Sequence, residues 1–276
     1  MHVKNRIAKR ITALVAGALA LGCGSSAFAG PVTVTLNPSC TTSCSTDGTD
    51  GNSRTFTFFD SQGLASRVTV TAWQADQNTT TGALTNYQSS FLGQYSSGLG
   101  VTNRSEGDGS SNNSHIADNE GGRADFIVLQ FDGNVVLTGA QLNAFSMTAT
   151  GFSGSGSDTD ATFYFGTTTL PFTSGVNLAD ATQRLSILNH YTDTLGGSSS
   201  NFRSVNTSTR YSGNVVVIAP SLADYNRGTT GGNWRDGFKL GSVQVDYLTT
   251  QAPEPAALGL LGLGVLGIAF RRRRKN

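Results

Sequence analysis

Apolar and polar positions along the chain fall into short runs separated by turn-forming residues. Pro31–Leu36, Arg54–Asp60, Arg67–Trp73, Asp125–Asp132, Asn134–Met147, Ala161–Gly166, Asn214–Ala219 and Phe238–Leu248 are rich in Val, Ile, Thr, Phe and Tyr, and Gly, Asn, Asp and Ser bound them. Runs of this length and composition predict strands. In Arg67–Trp73 the alternation is plain: Val68, Val70 and Ala72 share one face, and Thr69, Thr71 and Trp73 share the other. Asp125–Phe131 is apolar almost throughout, as expected of a strand covered on both faces. Phe131–Asn134 places Asp132-Gly133 at the centre of a tight turn and predicts a hairpin. Between residues 30 and 252, only Ala179–Asn189 has the composition of a helix. The expected fold is all-β: an antiparallel β-sandwich, jelly-roll-like, with no internal repeat.

Two stretches resist strand assignment. Ser39–Ser53 and Asn103–Arg123 are polar and Gly-rich, and the second exceeds ordinary loop length. Loops that long are either functional or unstructured.

The two ends are patterned differently from the middle. Lys4, Arg6, Lys9 and Arg10 precede an apolar stretch, Ile11–Leu21, and Ala27-Phe28-Ala29 follows. Basic region, apolar region and a small-residue cleavage site make a secretory signal peptide over residues 1–29, cut between Ala29 and Gly30. Lipoprotein processing at Cys23 is the competing reading, and Ala20 in place of the usual leucine disfavours it. At the other end, Pro253-Glu254-Pro255 leads into Ala256–Phe270, which carries no charge and no strongly polar side chain, and then into Arg271, Arg272, Arg273, Arg274 and Lys275. As a helix the apolar run would be roughly 22 Å long, short against a hydrocarbon core of about 30 Å. The long basic side chains can extend its reach by snorkelling.

This three-part tail, residues 253–276, resembles the PEP-CTERM sorting signal of bacteria that secrete exopolysaccharide. The resemblance implies export by the general secretion machinery and a transient stay in the inner membrane through the short helix. It further implies processing by an exosortase and a final place at the cell surface or in the extracellular matrix of a biofilm. An unprocessed C-terminal anchor is the plainer alternative. Gly98–Asp132 also resembles a segment that recurs in PEP-CTERM surface proteins: a Gly-Leu-Gly-Val turn, a polar loop, and a His-x-x-Asp-Asn element ahead of an apolar strand.

Charge changes the picture once the ends are set aside. The whole chain has a formal net charge of +1. Residues 30–252 hold ten Arg or Lys against seventeen Asp or Glu, hence −7. An acidic ectodomain disfavours nucleic acid and anionic lipid as partners. It suits divalent cations or a polysaccharide matrix.

Candidate chemistry is sparse. Asp118, Asn119 and Asp125 offer hard oxygens of the kind Ca²⁺ takes, with Asp108 and Glu120 nearby, although the spacing is not that of an EF-hand. Against a structural calcium stands a simpler role, in which Asp118 and Asn119 cap a turn and Arg123 pairs with a surface acid. Cys40 and Cys44 are the only cysteines after residue 29 and are expected to form a short-loop disulfide in an oxidising compartment. Trp73, Phe126, Phe131, Phe163, Tyr164, Phe165, Trp234 and Tyr247 can stack sugars if exposed, but their place in apolar strands assigns them to the core. No nucleophile elbow, phosphate loop, dinucleotide fingerprint or zinc spacing is present, and no catalytic residues are assigned. The expected function is a non-enzymatic structural or interaction protein of the surface or the exopolysaccharide matrix. A carbohydrate-binding module is the alternative, and a secreted hydrolase stands third.

Overall fold

The computed structural model describes residues 30–36, 48–60, 63–106, 115–145, 158–188, 191–194, 201–206, 208, 210–224 and 236–247. Twelve strands carry the fold: β1 (Val32–Thr35), β2 (Ser53–Phe59), β3 (Ala65–Gln77), β4 (Leu84–Tyr95), β5 (Gly98–Thr102), β6 (Ala117–Asp118), β7 (Arg123–Ala144), β8 (Ala161–Gly166), β9 (Tyr191–Thr194), β10 (Asn201–Ser204), β11 (Gly213–Pro220) and β12 (Gly237–Tyr247). Every pairing is antiparallel. All twelve belong to one hydrogen-bonded sheet, which closes on itself through β12, β5, β4, β3, β7 and back to β12. The sequence suggested two packed sheets; the strands form one barrel-like sheet.

Strand β7 makes the closure possible. Its first half, Arg123–Phe131, pairs with β3 along one edge and β11 along the other. Its second half, Val135–Ala144, pairs with β12 and β10. Between the halves the β11 register jumps from Gln130 opposite Val215 to Val135 opposite Gly213. Asp132-Gly133-Asn134 is therefore a bulged corner within one 22-residue strand, not the expected hairpin turn. The reason is tertiary. Asp132 accepts hydrogen bonds from the Arg67 backbone and the Tyr247 hydroxyl, which holds the corner open against β3 and β12. A Cβ on Gly133 would meet the Tyr247 hydroxyl at 2.6 Å, so the corner packs directly against that ring.

Alternation sorts side chains into two cores. Inside the barrel lie Val68, Val70 and Ala72 of β3, Ile127, Leu129 and Phe131 of β7, and Val216 and Ile218 of β11. The opposite faces of β7 and β11 hold Phe126, Val128, Val215 and Val217, which pack with Val176, Leu178 and Ile187. Both faces of Asp125–Phe131 are thus covered, as its apolar run requires. Each fully buried large side chain contributes about 1.5–3 kcal/mol relative to exposure.

The outer cover is the one α-helix among the described residues, α1 (Ala181–Ile187). Asp180 caps it, accepting from the backbone N–H groups of Thr182 at 2.8 Å and Gln183 at 3.3 Å. Those bonds lower the Asp180 pKa. The Arg184 guanidinium lies 4.4 Å over the Tyr87 ring of β4, so the helix is held across the sheet.

Candidate functional site

The polar loop after β5 and the start of β7 build an acidic site at one end of the barrel. Glycines make the backbone crossing there feasible. Gly98 has φ +132, and a Cβ on it would lie 2.5 Å from the Leu240 carbonyl oxygen of β12; a Cβ on Gly100 would strike the His115 carbonyl. Gly98-Leu99-Gly100 therefore lets β5 pass closely under β12 and under the segment that leads into β6.

Beyond β5, Asn103 organises the turn. Its backbone N–H donates to Glu106 Oε2 at 2.8 Å, and its side-chain oxygen accepts from the Ser105 hydroxyl at 2.6 Å. The Asn103 amide reaches Asp125 Oδ1 at 3.5 Å, and the Asp118 backbone N–H reaches Asp125 Oδ2 at 3.4 Å. Asp118 in turn accepts from the Glu120 backbone at 2.9 Å. Carboxylate oxygens of Glu106, Asp118 and Asp125 lie within 4.8 Å of one another, and Asp118 and Asp125 are buried.

Burial sets the electrostatics. It raises the pKa of Asp125 well above the carboxylate range, and the neighbouring charges of Asp118 and Glu106 push the same way. Burial likewise pushes Glu106 up to about 7, reinforced by Glu120 and opposed by the Asn103 hydrogen bond and Arg123. Three acids this close cannot all ionise without a counter-charge. Protons can supply it, and so can a hard divalent cation, for which carboxylate oxygens are the preferred ligands.

Of the residues singled out from sequence, Asp118 and Asp125 come together and Asn119 does not. Asn119 follows Asp118 directly, and its side chain turns the other way. Its amide donates to the Ser221 carbonyl at 3.2 Å and to Asp236 Oδ2 at 3.3 Å, while its oxygen accepts from the Asp236 backbone at 3.2 Å. There it meets a second acidic group, Asp158, Asp160 and Asp236, whose oxygens also lie within 4.8 Å of one another. None of these three acids was singled out from the sequence. The Asp158-Thr159-Asp160 doublet ahead of β8 was the available signal. Glu106 takes the place expected of Asn119. Arg123 pairs with Asp76 at 3.7 Å, as the turn-capping alternative anticipated, but Asn119 makes no side-chain cap to the 3₁₀ turn that follows it.

The aromatic residues considered for sugar stacking mostly line the core. Phe126, Phe131, Phe163 and Phe165 are buried, and Trp73, Tyr164 and Tyr247 are half-buried. Among the described residues, the exposed large apolar side chains are Phe59, Leu64, Leu185 and Phe202, none of them in that set. Trp234, Asp108, Cys40, Cys44, Ala27, Ala29 and the tail residues Pro253, Glu254, Pro255, Arg271, Arg272, Arg273 and Arg274 lie outside the described residues, whereas Gly30 is exposed ahead of β1. Among the described residues, no helix is long and apolar enough to cross a membrane.

Strand β12 ends at Tyr247, and residues 251–274 match the family model of the PEP-CTERM protein-sorting motif. The chain carries a PEP-CTERM sorting signal. That motif implies exosortase-dependent sorting to the cell surface, with exosortase as the processing partner. Neither a curated protein nor a solved structure is matched by the chain. The PEP-CTERM motif covers only the tail, so the β-rich region must be read from its own residues.

Proposed function

We propose that the chain is an exported, non-catalytic surface or matrix protein, addressed by two disposable ends. Met1–Ala29 directs export. Residues 253–276 hold the chain in the inner membrane until exosortase acts, and residues 30–252 are delivered outside as the working part, in or on the exopolysaccharide. The observation that carries this is the PEP-CTERM motif at 251–274, four residues beyond the last strand. An acidic ectodomain, with its large aromatic side chains mostly buried, suits bulk packing or interaction with a hydrated matrix. The test compares a tagged chain in an exosortase-deleted strain with its parent. Retention at full length in the membrane fraction of the deletion strain is expected. Identical mass and location in both strains would remove the sorting assignment.

A second reading concerns stability outside the cell. The convergence of Glu106, Asp118 and Asp125 favours a structural divalent cation, calcium by ligand type, in place of the Asp118–Asn119–Asp125 set that the sequence suggested. Melting in millimolar calcium against chelator distinguishes the two states. A rise in Tm with calcium that is lost in Asp125→Asn supports the cation, and equal curves dismiss it.

A further inference from the structure

Lys239 is the only lysine between residues 30 and 252, and it is buried, at 4% exposure. Its amine lies 4.2 Å from the Tyr95 ring centroid and 4.5 Å from that of Phe145. The His115 ring sits 5.0 Å from each of those two rings, so the two rings at the amine belong to a three-ring cluster. Among the described residues it makes no ion pair. A surface cation at this position would need none of this enclosure. An ammonium removed from water without a carboxylate carries a large desolvation cost, only partly offset by ring faces.

We propose that Lys239 is an imine-forming site that takes a small aldehyde. The unprotonated Nζ attacks the carbonyl carbon, and the C=O electron pair passes to oxygen. Both Nζ protons pass to that oxygen, which leaves the carbinolamine as water, so a C=N bond remains with no net oxidation or reduction. An enclosed, water-poor wall of rings favours the dehydration step, and the protonated imine keeps the positive charge those rings already hold. Tyr95 is the titratable group the amine faces, and His115 lies against that ring. Phe145 and His115 are partly exposed, whereas Tyr95 and Lys239 are buried, and an amine so enclosed suits only a small carbonyl compound. Burial also pushes the Lys239 pKa down to about 8. At pH 7 roughly a tenth of such an amine is unprotonated, against under a thousandth for a lysine near 10.4. Desolvated lysines are activated as nucleophiles in this way.

The test treats the purified full chain with glycolaldehyde and cyanoborohydride, then maps adducts by peptide mass spectrometry. At pH 7, trapping at Lys239 should exceed that at Lys4, Lys9 and Lys275 by about tenfold or more, given the neutral fractions above. Its rate should rise with pH to a midpoint near 8, and Lys239→Met should lose that adduct alone. If Lys239 reacts more slowly than the other lysines and is labelled only in urea, it is a structural cation and the proposal fails. Site mapping on the unaltered chain decides the matter even if the variant does not fold.

Discussion

Tyr247, the last residue of β12, donates its hydroxyl to Asp132, at the corner of β7, and the other oxygen of that carboxylate accepts from Arg67 at the start of β3. One aspartate thus ties three strands where the barrel turns. Burial and the Asp132 hydrogen bond raise the Tyr247 pKa well above its ordinary value, so the donor stays protonated across the physiological range.

Tyr247→Phe keeps the ring against Phe58 and removes only the hydroxyl. The expected cost is about 1–1.5 kcal/mol in urea unfolding. Combined with Asp132→Asn, the two effects should be less than additive, because both break the same tie. Full additivity would show that the corner is held by something else.

Gly100→Ala places a methyl group against the His115 carbonyl, where backbone cannot yield without moving β6. A loss of about 2 kcal/mol or more is expected, read from the urea midpoint. Gly121→Ala, at φ +68 but with nothing within 4 Å, should cost less, since only backbone strain opposes it. Equal costs at the two sites would remove the close-crossing account of Gly98–Gly100.

Stability should fall as pH rises, without added metal. For Glu106 the folded pKa of about 7 lies above the ordinary 4.5, so the folded state binds protons more tightly than the unfolded. Its contribution is full below about 4.5 and is lost as pH rises through about 7. Asp125 shifts in the same direction. In chelator, Tm should drop by about 3 °C or more between pH 5 and pH 8, and Asp125→Asn should flatten the slope. A Tm that climbs over that range contradicts the assigned pKa directions.

Replacing Pro253-Glu254-Pro255 by three alanines leaves the apolar run and the basic end intact. If the motif acts through recognition by exosortase, this variant should stay uncut and membrane-associated while the parent chain is released. Normal release, followed by immunoblot of membrane and medium fractions, would place recognition elsewhere in the tail.

The strands with strong alternation or a continuous apolar run, β3, the first half of β7, β8, β11 and β12, are legible because burial on one or both faces leaves a residue-level signature. Strand β4 is not, since Thr85, Asn86 and Gln88 face solvent and read as loop. The tail motif is legible for another reason: it is addressed to a processing enzyme and needs no fold to be recognised.

Local sequence therefore settled the all-β composition, the acidic middle and the sorting address, each of which depends on residue type and short-range order. Long-range contact settled the rest. Asp132-Gly133 reads as a hairpin until Tyr247 and Arg67 arrive from strands over sixty residues away, and Asp118 and Asn119, adjacent in the chain, reach different acidic groups because the chain leaves the extended conformation at Asn119, where β6 has ended. Which carboxylates meet, and which lysine is walled by rings, are facts of strand pairing that no window of neighbouring residues contains.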